Sequence, residues 1–102
     1  MKAMKTINYR GYEALAVNKD VFGHLCTSGY IVIPKGNPLY GKIESSLDSE
    51  YKLSFTFARN LLTKKVFWAI AFTLEGLSQD KVILECKKII DQLDEIVNNI
   101  SQ

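Results

Sequence analysis

The sequence has few of the residue types on which most enzymes and metalloproteins depend. Its 102 residues include one histidine, His24, and two cysteines, Cys26 and Cys86. Two cysteines do not make a disulfide framework, and three nitrogen and sulfur ligands fall short of a structural zinc site. The glycine-rich motifs that cradle phosphates are missing as well. The sequence therefore predicts no metal and no cofactor.

Long apolar runs are also missing. No stretch reaches the roughly 18 consecutive apolar residues of a membrane-spanning helix. The first 17 residues carry positive charge without the apolar core of a signal peptide. We therefore expect a cytoplasmic protein with reduced thiols and no membrane partner.

The chain has no strong excess of charge of one sign. Thirteen Lys and Arg residues stand against eleven Asp and Glu residues, a net charge of +2. A dedicated nucleic-acid binder usually has a strongly basic domain or a clustered basic stripe, so nucleic acid is not expected to be the sole partner. A weak nucleic-acid-binding module that uses Lys64, Lys65 and the N-terminal lysines stays open as an alternative.

What the sequence does have is the patterning of a small α+β domain. Four segments show the alternation or the apolar composition of β-strands: Tyr12–Val17, Tyr30–Ile33, Leu53–Phe57 and Val66–Leu74. The cluster Asn18–Asp20 is typical of a turn. The segment Pro34–Glu50 contains both prolines and is predicted to be a long irregular loop of the kind that often has a function.

A C-terminal helix is predicted over residues 79–100. Apolar residues recur there at spacings of three and four, as on one face of an amphipathic helix, and Ser78 is a suitable N-cap. The predicted fold is a single α+β domain over 1–102, with strands within about 7–74. It is a two-layer structure, in which a four-stranded antiparallel meander is covered on one face by the helix.

The strand patterns predict one heavily apolar sheet face that meets the helix, formed by Phe55, Phe57, Trp68, Ile70 and Phe72. The opposite face is expected to consist of small residues that are poor in charge. Its predicted members are Ala14, Ala16, Ser54, Thr56, Phe67, Ala69, Ala71 and Thr73. Such a face either meets water or packs on a partner or a second copy of the chain.

One pair of residues has a catalytic interpretation. His24 and Cys26 are two residues apart and would share one side of an extended strand, as a nucleophile and its base do. The pair is a weak candidate, because no third, orienting residue follows from the spacing. A turn histidine beside a buried structural cysteine is the alternative.

Five segments of the chain form a recognisable series of motifs: residues 9–12, 23–26 (GHLC), 29–42 (GYIVIPKGNPLYGK), 67–72 (FWAIAF) and 91–96 (DQLDEI). In these motifs the chain resembles a family of small uncharacterised proteins encoded in phages, prophages and other mobile elements. Most polar residues of the family pattern are replaced here. Asn37 stands in place of a histidine, Ile43–Ser46 in place of acids, Tyr51–Phe57 lacks the family's histidine, and Thr73, Leu74 and Gly76 replace an Asp, a Cys and a His.

The resemblance implies a mobile-element accessory protein that keeps the scaffold and lacks most of the polar set. We therefore expect a non-enzymatic protein that binds a host protein stoichiometrically, for example as an anti-CRISPR inhibitor of host defence. A homodimer and a degenerate enzyme or ligand-binding domain around His24 and Cys26 remain alternatives. The candidate partner-binding residues are Asn37, Leu39, Tyr40, Lys42, Thr56, Phe67, Ala69 and Ala71.

Overall fold

The computed structural model describes residues 4–60 and 63–100. It consists of one antiparallel sheet and one C-terminal helix, so the predicted α+β class is confirmed. Within the described residues, no helix has the length and hydrophobicity needed to cross a bilayer. The elements are β1 (Met4–Tyr9), β2 (Tyr12–Val21), β3 (His24–Ile33), β4 (Ser54–Arg59), β5 (Val66–Glu75) and α1 (Gln79–Ile100).

The sheet has five strands instead of the predicted four. The additional strand, β1, has mostly exposed side chains, and only Ile7 and Tyr9 pack against the core. Such a strand has almost no hydrophobic pattern. It forms because its backbone pairs with β2 through the hairpin at Arg10 and Gly11.

The strand order is β1-β2-β3-β5-β4, so the prediction of a simple meander was wrong. β5 lies between β3 and β4, although β4 comes first in the chain. The composition of the two strands explains the exchange. β5 is buried on both faces around Ala69 and Ile70, whereas β4 exposes Ser54 and Thr56 and lies at the edge.

Two tight hairpins connect β1 to β2 and β2 to β3. In each, both central residues have positive φ, with Arg10 at 51° and Gly11 at 84° in the first, and Phe22 at 52° and Gly23 at 83° in the second. This is the two-residue geometry that matches strand twist and favours glycine. The predicted turn at Asn18–Asp20 was wrong, because β2 continues through these residues to Val21.

Helix α1 begins as expected, with Ser78 as its N-cap. The Ser78 hydroxyl accepts a hydrogen bond from the Lys81 N–H at 3.4 Å. The helix lies across β1, β2 and β3. It buries most of the predicted apolar stripe, namely Val82, Ile83, Cys86, Ile89, Ile90 and Leu93, whereas the predicted members Ile96 and Val97 are partly buried and Ile100 is exposed.

Three small residues of β2 and β3 lie directly beneath the helix. Ala14, Ala16 and Gly29 are buried on this side, and a Cβ atom at position 29 would lie 2.7 Å from Val82 Cγ1. The assignment of Ala14 and Ala16 to the opposite face was therefore wrong. Small residues allow the helix backbone to approach the sheet closely, which an apolar pattern alone does not reveal.

Residues 34–53 form an irregular strap over the remainder of the helix-side face. Tyr51 of the strap stacks on Phe72 with ring centroids 5.5 Å apart. The Gln92 side chain fixes the strap to α1, because it accepts from the Asp48 N–H at 2.7 Å and donates to the Asp48 C=O at 2.9 Å. Ser49 also donates to the buried Glu85 carboxylate at 2.8 Å. The strap thus completes the hydrophobic core.

The side chain of a buried threonine forms hydrogen bonds with the segment that connects β5 to α1, at the junction between the sheet and the helix. The Thr27 hydroxyl donates to the Gly76 C=O at 2.9 Å and accepts from the Ser78 N–H at 3.0 Å. Thr27 has no exposed surface. We expect Thr27→Val to lower the free energy of unfolding by about 1 kcal/mol, because the part-buried Gly76 C=O and Ser78 N–H lose their hydroxyl partner.

Urea unfolding measures this loss, and Thr56→Val is the matched control. Thr56 is exposed on β4, so removal of its hydroxyl is expected to change stability little. Equal unfolding midpoints for the two variants would contradict a role for Thr27 at this junction.

Candidate protein-binding surface

The side of the sheet turned away from α1 has no second layer among the described residues. We call this surface the open face, and the pairing registers define it, since they run without a bulge through all five strands. Its central members are Leu15, Val17, Ser28, Tyr30, Val32, Ser54, Thr56, Ala58, Phe67, Ala69, Ala71 and Thr73.

The open face is mostly apolar in its middle, and the one charged group that reaches over this middle in the described residues is the Lys19 ammonium, which lies against the Tyr30 ring. Val17, Tyr30, Val32, Phe67 and Ala71 are each half-buried by their neighbours on the sheet. The charged side chains on this side are Glu13, Lys19 and Glu75, at or near the ends of their strands. Charge depletion at the centre with aromatic residues present is typical of the core of a protein interface.

Lys19 is held against the surface. Its ammonium group lies 5.1 Å from the centroid of the Tyr30 ring and donates to the Tyr30 hydroxyl. Beside them, the Ser28 and Thr73 hydroxyls share a hydrogen bond of 2.8 Å. These two pairs of polar groups satisfy each other and leave the apolar groups beside them available for a partner.

The structure divides the predicted partner-binding residues between the two sides of the sheet. Thr56, Phe67, Ala69 and Ala71 lie together on the open face, at neighbouring positions of β4 and β5. Ala69 has no exposed surface, so a partner would contact the residues around it. The part of the predicted set that is accessible here is Thr56, Phe67 and Ala71.

The other four residues lie in the strap on the helix side. Asn37 donates to the Tyr12 hydroxyl at 2.8 Å, and Leu39 is buried in the core. Tyr40 packs edge-on against Phe57, with centroids 6.4 Å apart. The Lys42 C=O accepts from the Trp68 indole N–H at 3.3 Å, while its side chain is exposed. These residues fix the strap in place and do not share a surface with Ala71.

His24 and Cys26 lie on the same side of β3, as the alternation predicted. His24 is exposed and Cys26 is a buried free thiol. Within residues 4–60 and 63–100, no cluster of three or more His, Cys, Asp or Glu side chains is suited to hold a metal. Lys19 and Glu75 are the cross-strand neighbours of Cys26 on this side, and the Lys19 ammonium donates to the Tyr30 hydroxyl.

The second cysteine lies in the core. Cys86 has no exposed surface, and burial, with a smaller contribution from Glu85, raises the pKa of its thiol from 9.0 to about 12. Since the thiolate is the nucleophilic form, Cys86 is inert in the folded protein at neutral pH.

A shallow depression of about 340 Å³ lies at the N-terminus of α1, lined in part by Lys5, Asn18 and Gln79. The two charged residues that line it are Lys5 and Asp80. They form an ion pair in which the Lys5 ammonium lies 2.8 Å from the Asp80 carboxylate. Hydrogen bonding to Lys5 and its charge lower the pKa of Asp80. The pair neutralises what would otherwise be an anion-binding position.

Sequence reasoning missed Phe22, which is almost fully exposed at the tip of the β2–β3 hairpin, with a relative accessibility of 99%. The signal was Phe22-Gly23 between two β-forming segments, a pattern of two-residue hairpins. Sequence reasoning also missed Leu15, Tyr30 and Val32 on the open face. The alternate residues of β2 were assigned to the wrong sides of the sheet, and Tyr30–Ile33 is apolar on both sides, so its pattern does not indicate which residues meet the helix.

Comparisons with protein-family models, with curated proteins and with solved structures found no match for this chain.

Proposed function

We propose that this domain acts by binding another protein through the open face, without catalysis of its own. The observation that carries the proposal is the charge-poor middle of that face, where Val17, Tyr30, Val32, Phe67 and Ala71 lie side by side and are covered by no other part of the chain that the structure describes. An uncovered apolar surface with a charged rim fits a protein interface better than a water-facing sheet.

The partner we propose is a host protein, bound stoichiometrically in the cytoplasm. The motifs in residues 23–42 that resemble mobile-element proteins support this choice. Inhibition of a host defence system, in the manner of anti-CRISPR proteins, is the specific form of the hypothesis. Such an inhibitor needs a binding surface and no catalytic group.

The proposal is tested by a charge placed in the middle of the open face. Ala71 lies between Tyr30 and Ser54 in the sheet, and a longer side chain there reaches solvent without entering the core. Ala71→Glu and Ala71→Lys are both expected to abolish capture of the partner from lysate of the source cells, because a charge of either sign must be desolvated on binding. Quantitative mass spectrometry measures the captured protein.

Lys88→Glu is the matched control, since Lys88 is exposed on α1 and the variant is expected to capture the partner as the wild type does. Circular dichroism and urea unfolding verify that all variants fold. Undiminished capture by both Ala71 variants would contradict the proposal. Light scattering provides a second check, since a stable homodimer lost on Ala71→Glu would assign the open face to a second copy.

A further inference from the structure

The β4–β5 region carries an excess of positive charge within its own sequence, which Glu50 and Glu75 border on either side. Residues 51–74 contain Lys52, Arg59, Lys64 and Lys65 and no Asp or Glu, whereas the other 78 residues carry nine Lys and Arg against eleven acids. We call residues 51–74 the basic hairpin. Its excess charge is hidden in the small net charge of the whole chain.

The cations at the two edges of the sheet differ in their partners. Beside β1, Lys5 pairs with Asp80, and Arg10 pairs with Asp91 at 2.8 Å and with Asp94 at 3.1 Å. No ion pair among residues 4–60 and 63–100 involves a cation of the basic hairpin. The edge at β4 is therefore the one whose positive charge is available to a ligand.

The outer edge of β4 also has unpaired backbone groups. Asn60 donates from its N–H to the Lys65 C=O at 2.9 Å, and from this bond the alternation of an antiparallel pair turns the groups of Phe55, Phe57 and Arg59 away from β5. In the described part of the chain, the one bond to these groups is donated by the Thr56 hydroxyl to the Phe57 C=O, at 3.3 Å. Such an edge is a template for a further strand.

An aromatic shelf lies next to this edge. Phe57 is more than half exposed, and its ring packs edge-on against Trp68 with centroids 4.9 Å apart. Val66, its diagonal neighbour on β5, is also about half exposed. The shelf offers a contact for an apolar side chain of an added strand.

From the unpaired edge, the aromatic shelf and the free cations, we propose that β4 binds an extended peptide segment rich in acidic residues by β-strand addition. A second copy does not fit, because pairing β4 with β4 brings two basic hairpins together. A nucleic acid does not use the alternating N–H and C=O groups of the edge. This site uses the outward backbone groups of β4 and the side chains of Phe57 and Val66 on the helix side, whereas the proposed function depends on side chains of the opposite side around Ala71, so either proposal can fail without the other.

The probe is a synthetic octapeptide of alternating Glu and Val, added to ¹⁵N-labelled protein. We expect chemical-shift changes confined to residues 54–59 and 64–66, with slower solvent exchange of the Phe57 amide. Binding is expected to weaken about tenfold in the double variant Lys64→Glu, Lys65→Glu and at high salt. The double variant Lys81→Glu, Lys88→Glu on α1 has the same change in net charge and is expected to bind like the wild type.

Two control peptides separate the contribution of charge from that of backbone hydrogen bonding. A Lys-Val octapeptide and a Glu-Val octapeptide with every backbone nitrogen methylated are both expected not to bind. The proposal is overturned if millimolar Glu-Val peptide causes no shifts, if both charge types bind alike, or if the shifts map to the β2 and β3 part of the open face, at Val17, Tyr30 and Val32. A thymidine oligonucleotide that shifts the same amides more strongly would assign the edge to nucleic acid instead.

Discussion

Replacement of Gly29 by alanine is expected to lower the free energy of unfolding by about 3 kcal/mol, near the upper end of what overpacking usually costs. A Cβ atom at this position would lie 2.6 Å from Phe72 Cζ and 2.7 Å from Val82 Cγ1. Neither neighbour has room to move, because Val82 is fixed on α1 and Phe72 is held beneath Tyr51. The helix must therefore shift away from the sheet or the sheet must distort.

Thermal and urea unfolding measure this cost, with Gly36→Ala as the matched control. A Cβ at Gly36 meets nothing within 4 Å, and its φ lies outside the left-handed region. Gly36→Ala is therefore expected to leave stability unchanged or to raise it slightly. If Gly29→Ala were as stable as Gly36→Ala, this result would contradict the claim that α1 packs closely against β3 at Gly29.

The second large effect concerns alkaline pH. The pKa of Cys86 is raised from 9.0 to about 12 by burial in the folded protein, so its protonated form contributes stability that is fully present below pH 9. This contribution is lost as the pH rises toward 12, because the unfolded chain releases the proton first. Across two pH units above 9 the loss is about 3 kcal/mol, at 1.36 kcal/mol per unit.

The measurement compares the pH dependence of unfolding in the wild type and in Cys86→Ala between pH 8 and 11. Cys86→Ala is expected to be less stable by a fixed amount at pH 8 and to lose less stability as the pH rises. Cys26→Ala is the control and is expected to keep the alkaline loss of the wild type. Identical slopes for the wild type and Cys86→Ala would contradict the deep burial of this thiol.

The parts of the fold that follow from the sequence are those that depend on local periodicity. α1 follows from the spacing of residues such as Ile89 and Leu93, and β5 from its long apolar alternation. β1 does not follow, since it is exposed on most of its length and depends on pairing with β2. The position of β5 between β3 and β4 was also not predictable from the sequence. This strand order depends on the strap, which crosses the sheet and has no regular pattern of apolar residues.

A charge-poor sheet face turned away from the helix was predictable from the sequence, but several of the residues that form it were not. The pattern of β4 and β5 correctly places Thr56, Phe67 and Ala71 on one side away from the helix. The side of Ala14 and Ala16 was assigned wrongly, because residues 14–17 are all apolar and their alternation does not indicate which set meets the helix. The small residues here face the helix because close packing requires them.

The central claim is that the open face binds a protein, and site-specific photo-cross-linking in the source cells tests it most directly. A photoreactive phenylalanine analogue is placed at Phe67 on the open face or, in the matched control, at Leu84, which is 57% exposed on α1. We predict a cross-link to one host protein from position 67 and none from position 84. Capture of the host protein from position 84 alone, or of none from either position, would contradict the claim.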